Sequence, residues 1–208
     1  MISVIFSITG RQGFENFKET VVHELPDLSR KGVNTLCLVN DKNLYLECRD
    51  FLQNAILETE ILTHYVEDKN PLVRASDLLA KDKYVFIVNE NIVLPSGALR
   101  KLYRAFVEYP FAGFMAGHLT DYNVEYWVEN VYMDYSPTKR CNKSLTGMVE
   151  IDTCIPYAIL TKSILFKELF FEKPIGDYGS LSFGVRLRRK GYRNFVLGNV
   201  KVKHGGKE

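Results

Sequence analysis

The segment Tyr84-Val85-Phe86-Ile87-Val88-Asn89-Glu90-Asn91 sets an uninterrupted apolar run directly before three polar residues. Such a run is typical of a central parallel strand that is covered on both faces. Ligands of open α/β sheets bind beyond the carboxyl ends of the strands, where this run delivers its polar residues. Extended geometry directs Asn89 and Asn91 to one side and Glu90 to the other. These oxygens suit a hard divalent cation; an ordinary Asn-rich turn is the alternative interpretation.

The first 110 residues repeat the order of an apolar strand followed by an amphipathic helix. The first helix is predicted to end at Pro26, and the last begins at Pro95-Ser96 and is stopped by Pro110. The βαβαβαβα order predicts an α/β fold with a mostly parallel central sheet, right-handed crossovers and flanking helices. Strands are predicted over 2–8, 33–39, 61–66 and 83–88, with a short helix over 75–80.

The second half of the chain has a less regular pattern. Residues 162–169 and 180–190 are predicted to be helical, and Gly191 provides a C-cap for the second of these helices. The segment 124–135 fits either a strand or a helix, and 139–146 reads as a loop. Strands are predicted over 111–117, 148–151, 158–160, 195–197 and 200–202.

Composition and net charge limit the classes of protein to which this sequence can belong. The 208 residues are 46% hydrophobic and carry a net charge of +2, which predicts one globular domain over 1–208. Nucleic-acid binding is not indicated, because phosphate contacts need clustered positive charge. From Arg186 to Lys207, however, all charged residues are basic. This segment is interpreted as a solvated helix face with a tail, or as a local site for a phosphate-bearing ligand.

The cysteines and the lengths of the apolar segments indicate the cellular compartment in which the protein is expected. Cys37, Cys48, Cys141 and Cys154 lack zinc-ligand spacing, and buried free thiols in a reducing compartment fit them best. No secretory leader is visible, and no stretch approaches the roughly 20 apolar residues of a transmembrane segment. The expected location is therefore cytoplasmic.

Polar residues also follow the other predicted strands, and each has a structural alternative. Thr9-Gly10-Arg11 follows the first strand and Asn40-Asp41 the second. Asp41 is expected to be a helix N-cap and could also contact a nucleobase. Arg11 is interpreted either as a surface residue or as a phosphate ligand. His118 follows a predicted strand and could face an acceptor.

Four pieces of the sequence together resemble the GT-A fold glycosyltransferases, most closely those of family 2. In order, they resemble the first strand with its donor-binding loop, the second strand with its aspartate, the strand with the Asp-x-Asp motif, and the catalytic segment with its helix and closing strand. They are Ile2–Ser7 with Thr9-Gly10-Arg11, Val39-Asn40-Asp41, Tyr84–Pro95, and Gly176–Ser180 continuing through Arg186–Tyr192 to Val202-Lys203-His204.

The resemblance implies roles for individual residues. Asp177 would be the catalytic base, and a divalent metal, manganese or magnesium, would be held by Glu90, Asn91 and His204. The alternatives are a helix N-terminal charge for Asp177 and a tail residue for His204. The residues expected to bind the donor are Thr9, Gly10, Arg11, Asp41, Arg74, Asp77 and Asn89.

The sequence departs from the family pattern at both acidic motifs. Asn89 and Asn91 stand where the family has aspartates, so Glu90 is the one carboxylate of that motif. Asp177 lies three residues before the position that aligns with the family's base. Without a metal, Arg11, Arg74, Lys203 and the basic helix would have to stabilise the leaving diphosphate.

The expected function is transfer of a sugar from a nucleotide-diphosphate donor to an unknown acceptor, with inversion. Residues 1–110 would bind the nucleotide-sugar and 111–208 the acceptor, with an aromatic platform as one option. An inactive GT-A-like protein that binds a nucleotide or sugar is the main alternative. A nucleotidyltransferase fits less well, because the loop after the first strand is short. The platform residues would be Tyr122, Tyr126, Trp127 and Tyr132.

Overall fold

The structure is a computed structural model that contains helices and strands throughout the described chain. No helix among the described residues is long and apolar enough to cross a membrane. The described residues are 1–55, 61–67, 72, 75, 83–120, 126–127, 140–141, 145–170, 172 and 182–205.

The elements follow the predicted alternation in the first half. A π-helical turn, Phe166–Phe170, directly extends the short helix α4. The helices are α1 (Arg11–Leu28), α2 (Lys42–Ala55), α3 (Ala98–Glu108), α4 (Ser163–Leu165) and α5 (Ser182–Arg189). The strands are β1 (Ile2–Ile8), β2 (Val33–Val39), β3 (Ile61–Tyr65), β4 (Tyr84–Val88), β5 (Ile92–Val93), β6 (Ala112–Leu119), β7 (Tyr126–Trp127), β8 (Arg140–Cys141), β9 (Met148–Ile151), β10 (Ala158–Lys162) and β11 (Arg193–His204).

Nine strands form one sheet in the order β3-β2-β1-β4-β10-β6-β11-β5, with β9 paired to β11. Strands β1 to β4 pair in parallel, as the sequence predicts for the first half. Strand β10 lies antiparallel between β4 and β6, and β11 runs parallel to β6. Strands of both predicted halves therefore belong to one continuous sheet. The assignment of donor binding to the first half and acceptor binding to the second stays a prediction.

Burial of β1 and β4 explains why their sequences lack polar interruptions. Every residue of both strands is buried, because helices cover the two faces of the sheet. The parallel register pairs Phe6 with both Cys37 and Val88, so the three strands end at one edge. As expected, Cys37, Cys48 and Cys154 are buried free thiols; the Cys141 side chain lies outside the described set.

Helix α1 continues past the proline that was predicted to end it. Pro26 lies inside the helix, which ends at Leu28. A proline this close to a C-terminus removes one backbone hydrogen bond, and Leu28 is only 1% exposed. Ser29 still donates its N–H to the Leu25 carbonyl at 3.0 Å. Burial of the last turn therefore outweighs the missing bond. The C-cap prediction for Gly191 is confirmed by its φ of 85°.

The last two predicted strands are one strand, β11, with an irregularity in its middle. Its register against β6 shifts between Leu197 and Lys201. Gly198 lies in this shift, and a Cβ there would come within 2.2 Å of the Leu145 carbonyl oxygen. The glycine thus permits a close approach that no larger residue allows. Beyond the shift, β11 pairs antiparallel with β5 and brings His204 beside Ile92.

A buried carboxylate joins α1 to the start of α3. Glu24 is 1% exposed and accepts the N–H groups of Ala98 at 2.8 Å and Leu99 at 3.1 Å. These amides belong to the first turn of α3, which has no acceptor within its own helix. Burial raises the pKa of Glu24 above its ordinary value of 4.5.

Replacing Glu24 by Ala should lower the free energy of unfolding by about 1–3 kcal/mol, because the buried Leu99 amide loses its acceptor and the Ala98 amide keeps only the Pro95 carbonyl. Glu24→Gln keeps one acceptor oxygen and should cost less. Since the folded-state pKa is raised, the part of the stability that is linked to protonation of Glu24 is full below pH 4.5 and is lost as the pH rises through the folded-state value. Urea unfolding at several pH values measures this as the difference between wild type and Glu24→Gln.

The matched control is Glu19→Ala, which removes an exposed carboxylate from the same helix. Its effect should stay within about 0.5 kcal/mol. Equal losses in Glu24→Ala and Glu19→Ala would contradict the capping role.

Candidate functional site

The carboxyl ends of β1, β2 and β4 lie side by side and deliver three polar turns to one edge of the sheet. The Asn40 N–H donates to the Ile8 carbonyl at 3.2 Å, which continues the β1–β2 register past the strand ends. We call this region the carboxyl edge; it consists of residues 9–11, 40–41, 89–91 and 204–205. The predicted turns therefore do meet at one edge.

Glu90 fastens the turn after β4 to the turn after β1. Its Oε2 accepts the Thr9 N–H at 2.5 Å and the Thr9 hydroxyl at 2.5 Å, and Oε1 also contacts that hydroxyl. The first turn of α1 lies directly against it: a Cβ on Gly13 would be 2.8 Å from both Cβ and Oε2 of Glu90. A carboxylate at a helix N-terminus is favoured by the helix dipole. Glu90 is thus a structural anchor of the edge.

The end of β11 closes over the same turn. Asn89 Oδ1 accepts the Asn91 N–H at 3.0 Å, and the Asn91 carbonyl accepts the Gly205 N–H at 2.9 Å. Asn16 of α1 donates its side-chain amide to the Glu90 carbonyl at 2.8 Å. His204 is half-buried next to this bond and belongs to β11 rather than to a separate tail. The structure therefore places all three predicted metal ligands around one turn.

Asp41 caps helix α2, as expected. Its Oδ1 accepts the backbone N–H of Asn43 at 2.8 Å and of Leu44 at 3.0 Å. Such a cap supplies acceptors that the first turn of a helix lacks. Asp41 is exposed, and its contact with a nucleobase stays a prediction.

Arg11 forms a two-pronged ion pair with Glu47 of α2. Its two terminal nitrogens lie 2.5 and 2.7 Å from the Glu47 oxygens. This hydrogen-bonded pairing raises the pKa of Arg11 and lowers the pKa of Glu47. The side chains are 60% and 43% exposed, so solvent and ions can reach the pair. A phosphate that binds Arg11 must therefore compete with Glu47.

Several arginines of the basic segment are paired within the protein. The buried Arg186 donates to the Leu169 carbonyl at 3.0 Å and lies 2.8 Å from Glu172. Arg188 lies 2.6 Å from Glu150, which Arg193 also contacts. Neither sequence interpretation included these pairings. The strand register explains the contact of Arg193 with Glu150, because Glu150 of β9 lies opposite Phe195 of β11, two residues after Arg193. Burial lowers the pKa of Arg186, and the hydrogen bond from Arg193 lowers that of Glu150.

His118 lies near the same edge, in the second half of the sheet. Ile159 pairs with both Ile87 and Ala116, which puts the residues two further along each strand, Asn89 and His118, at one level. The two are separated by one intervening strand, or about 10 Å across the sheet. His118 is buried, and this burial lowers its pKa, with the nearby charge of Lys201 adding to the effect. Its imidazole is therefore neutral near pH 7.

The described residues do not form a metal site on their own. Among them, no group of three or more His, Cys, Asp or Glu side chains is placed to hold an ion. Glu90 supplies a single carboxylate, whose oxygens contact Thr9, and Asn91 carries no charge.

Three predicted site residues, Arg74, Asp77 and Asp177, lie outside the described residues, as do the side chains of the aromatic platform. Their roles stay predictions. The sequence also gave no signal for Glu47 as the partner of Arg11, because the two are 36 residues apart and only the fold joins them.

Comparison with known proteins gives a match at the level of structure. No family model matches the sequence, and no curated protein matches it. A solved structure of S. aureus TarS, residues 1–349 in complex with UDP-GlcNAc, superposes with a TM-score of 0.58 at 12% identity. The match covers all of this chain and 59% of the TarS chain. The expected fold class is thereby confirmed: this is a mixed α/β chain with a central sheet flanked by helices, and it shares the fold of the TarS structure.

Replacing Thr9 by Val should lower the free energy of unfolding by about 1 kcal/mol, because Glu90 loses a hydroxyl donor while the shape is kept. Urea unfolding measures the loss. Thr146→Val, at an exposed threonine, is the control and should be nearly neutral. Identical stabilities of the two variants would show that the Thr9 hydroxyl does not hold the edge together.

Proposed function

We propose that this chain is a glycosyltransferase that moves a sugar from a nucleotide-diphosphate donor to an acceptor, with inversion. The convergence of Thr9–Arg11, Asp41 and Asn89–Asn91 at the carboxyl edge carries the proposal. Ligands of open α/β sheets bind at this position. The shared fold with TarS, whose structure contains UDP-GlcNAc, supports a nucleotide-sugar as the ligand.

The donor diphosphate is proposed to lie at the N-terminus of α1. The helix begins after Gly10, which has no side chain to cap it and has open space around its Cα. Free N–H groups and the helix dipole favour an anion there. Arg11 follows at once and can exchange Glu47 for a phosphate oxygen. Asp41, one strand away, is the proposed contact for the nucleobase.

The reaction proposed is a single displacement. The acceptor oxygen bonds to the anomeric carbon while the bond from that carbon to the diphosphate oxygen breaks. The N-terminus of α1 and Arg11 stabilise the charge on the leaving diphosphate. The acceptor proton passes to a general base, for which Asp177 is our first candidate. His118 is the second, because its neutral imidazole lies at the level of Asn89.

A divalent cation, manganese or magnesium, is the cofactor that the family resemblance implies. Glu90, Asn91 and His204 surround one turn, which supports this part of the proposal. Binding would require Glu90 to give up its contacts with Thr9. The same contacts favour the second candidate function, a GT-A-like protein that binds a nucleotide-sugar without turnover.

The acceptor, a saccharide or another molecule, is not specified by the described residues. Arg11 at the edge is held in an ion pair, as are Arg188 and Arg193 near the start of β11, and the net charge of +2 gives no reason to propose nucleic acid as a partner. We propose a cytoplasmic location, which the neighbouring buried thiols of Cys37 and Cys48 support.

Donor binding should depend on Arg11 and be opposed by Glu47. Arg11→Gln should weaken UDP binding, and Glu47→Gln should tighten it, because the guanidinium is released from its partner. Calorimetric titration with UDP and UDP-GlcNAc, with and without manganese, measures both effects. The double variant is the control and should bind like Arg11→Gln alone.

A manganese-dependent gain in affinity that survives Glu90→Gln would contradict the metal assignment. An absence of any nucleotide binding would contradict the donor site.

Hydrolysis of a bound donor separates an enzyme from a binding protein and identifies the base. Asp177→Asn should reduce turnover by roughly a hundredfold or more while UDP binding is unchanged. His118→Gln tests the second candidate in the same assay. If His118 acts, wild-type turnover should fall as the pH drops and protonates the imidazole, and the variant should lack that limb. Full turnover in both variants would require a different base.

A further inference from the structure

A second cavity lies at the opposite edge of the sheet, where β1 and β2 begin. It encloses about 230 Å³ between these strand starts, the end of α1 and the first turns of α3. None of its lining residues belongs to the carboxyl edge. The position makes it independent of the proposed donor site.

The lining carries more positive than negative charge. Arg30, Lys31 and Arg100 provide three cations against the single carboxylate of Asp27. A concave surface lined by one sign of charge concentrates ligands of the opposite sign. The cavity therefore favours an anion.

One buried carboxylate lies close to both guanidinium groups. Asp27 is 5% exposed; its Oδ1 lies 3.1 Å from Arg30 Nε, and its Oδ2 lies 3.9 Å from Arg100 Nε. The arginine side chains are 54% and 58% exposed, so they reach solvent on the other side. The planar guanidinium group presents its donors in a fork that matches a carboxylate or a phosphate.

The walls of the cavity are fixed. Glu24, one turn before Asp27, caps α3 and ties the two helices together. Tyr103 of α3 packs edge-on against Tyr84 of β4, with ring centroids 5.5 Å apart. Leu99 adds an apolar surface. A rigid apolar wall thus faces a cationic rim.

We propose that this cavity binds a small organic anion, a carboxylate or phosphate monoester attached to an apolar body of about one ring. Arginine pairs bind either anionic group through two parallel hydrogen bonds. The volume is below the roughly 300–1,000 Å³ of sites for drug-sized ligands, which favours a ligand smaller than a nucleotide-sugar. Arg30 and Arg100 hold the anionic group, and Tyr103 and Leu99 contact the apolar body.

Calorimetric titration of the whole chain with phenyl phosphate tests the site. Arg100→Gln should weaken binding by roughly tenfold, the loss expected for a charge-assisted hydrogen bond. The matched control is Arg104→Gln on the same helix, whose side chain is 84% exposed and pairs with Glu108. It should leave the affinity unchanged. Lys31→Gln, at an exposed lysine, is a second variant that should weaken binding without affecting folding.

The ligand series distinguishes the sources of the anion. Benzoate tests the carboxylate arm and inorganic phosphate the need for an apolar body, while benzyl alcohol tests the need for charge. Phenyl phosphate or benzoate should bind more tightly than inorganic phosphate, and benzyl alcohol should not bind. Equal loss in Arg100→Gln and Arg104→Gln, binding of benzyl alcohol, or no binding of either aromatic anion would overturn the proposal. Arg11→Gln should leave this binding intact, which separates its outcome from that of the donor site.

Discussion

The contact between Glu90 and Thr9 is the interaction on which the carboxyl edge depends. Parallel pairing of β1 with β4 brings the two turns together, but pairing alone leaves the loops free to diverge beyond Ile8 and Val88. The carboxylate closes that gap by accepting both the amide and the hydroxyl of Thr9. Because Gly13 packs directly on Glu90, the same contact sets where α1 begins. The position of the proposed phosphate site follows from it.

The sequence predicts the local elements of this edge well, because each depends on neighbouring residues. The apolar runs of β1 and β4 follow from burial on both faces, and the Asp41 cap follows from its place before an amphipathic helix. Long-range pairs are different. Arg11 meets Glu47 only through the packing of α1 and α2, and Arg188 of α5 meets Glu150 of β9 only through the packing of the fold. No spacing in the chain encodes these partners.

The final strand shows a second feature that the sequence alone does not predict, namely that two apolar runs form one strand. Its two apolar runs predict two strands, because Gly198-Asn199 between them is typical of a turn. The structure keeps one strand through the irregularity, since Gly198 lets the backbone approach Leu145. That choice depends on a neighbour more than fifty residues away in the chain. It also decides the site, because only a continuous strand brings His204 to Ile92.

Arg11 and Glu90, two charged side chains of the carboxyl edge, each already have a partner within the protein. Arg11 is held by Glu47, and the carboxylate of Glu90 is held by Thr9 and the start of α1. The donor binding that we propose for this edge would be an exchange, in which a phosphate replaces the Glu47 carboxylate and becomes the second anion near α1. Two anions at one helix terminus repel each other, so a cation between them would be stabilised. In the proposed function, this repulsion would favour a divalent metal that binds together with the diphosphate, whereas Glu90 alone does not require one.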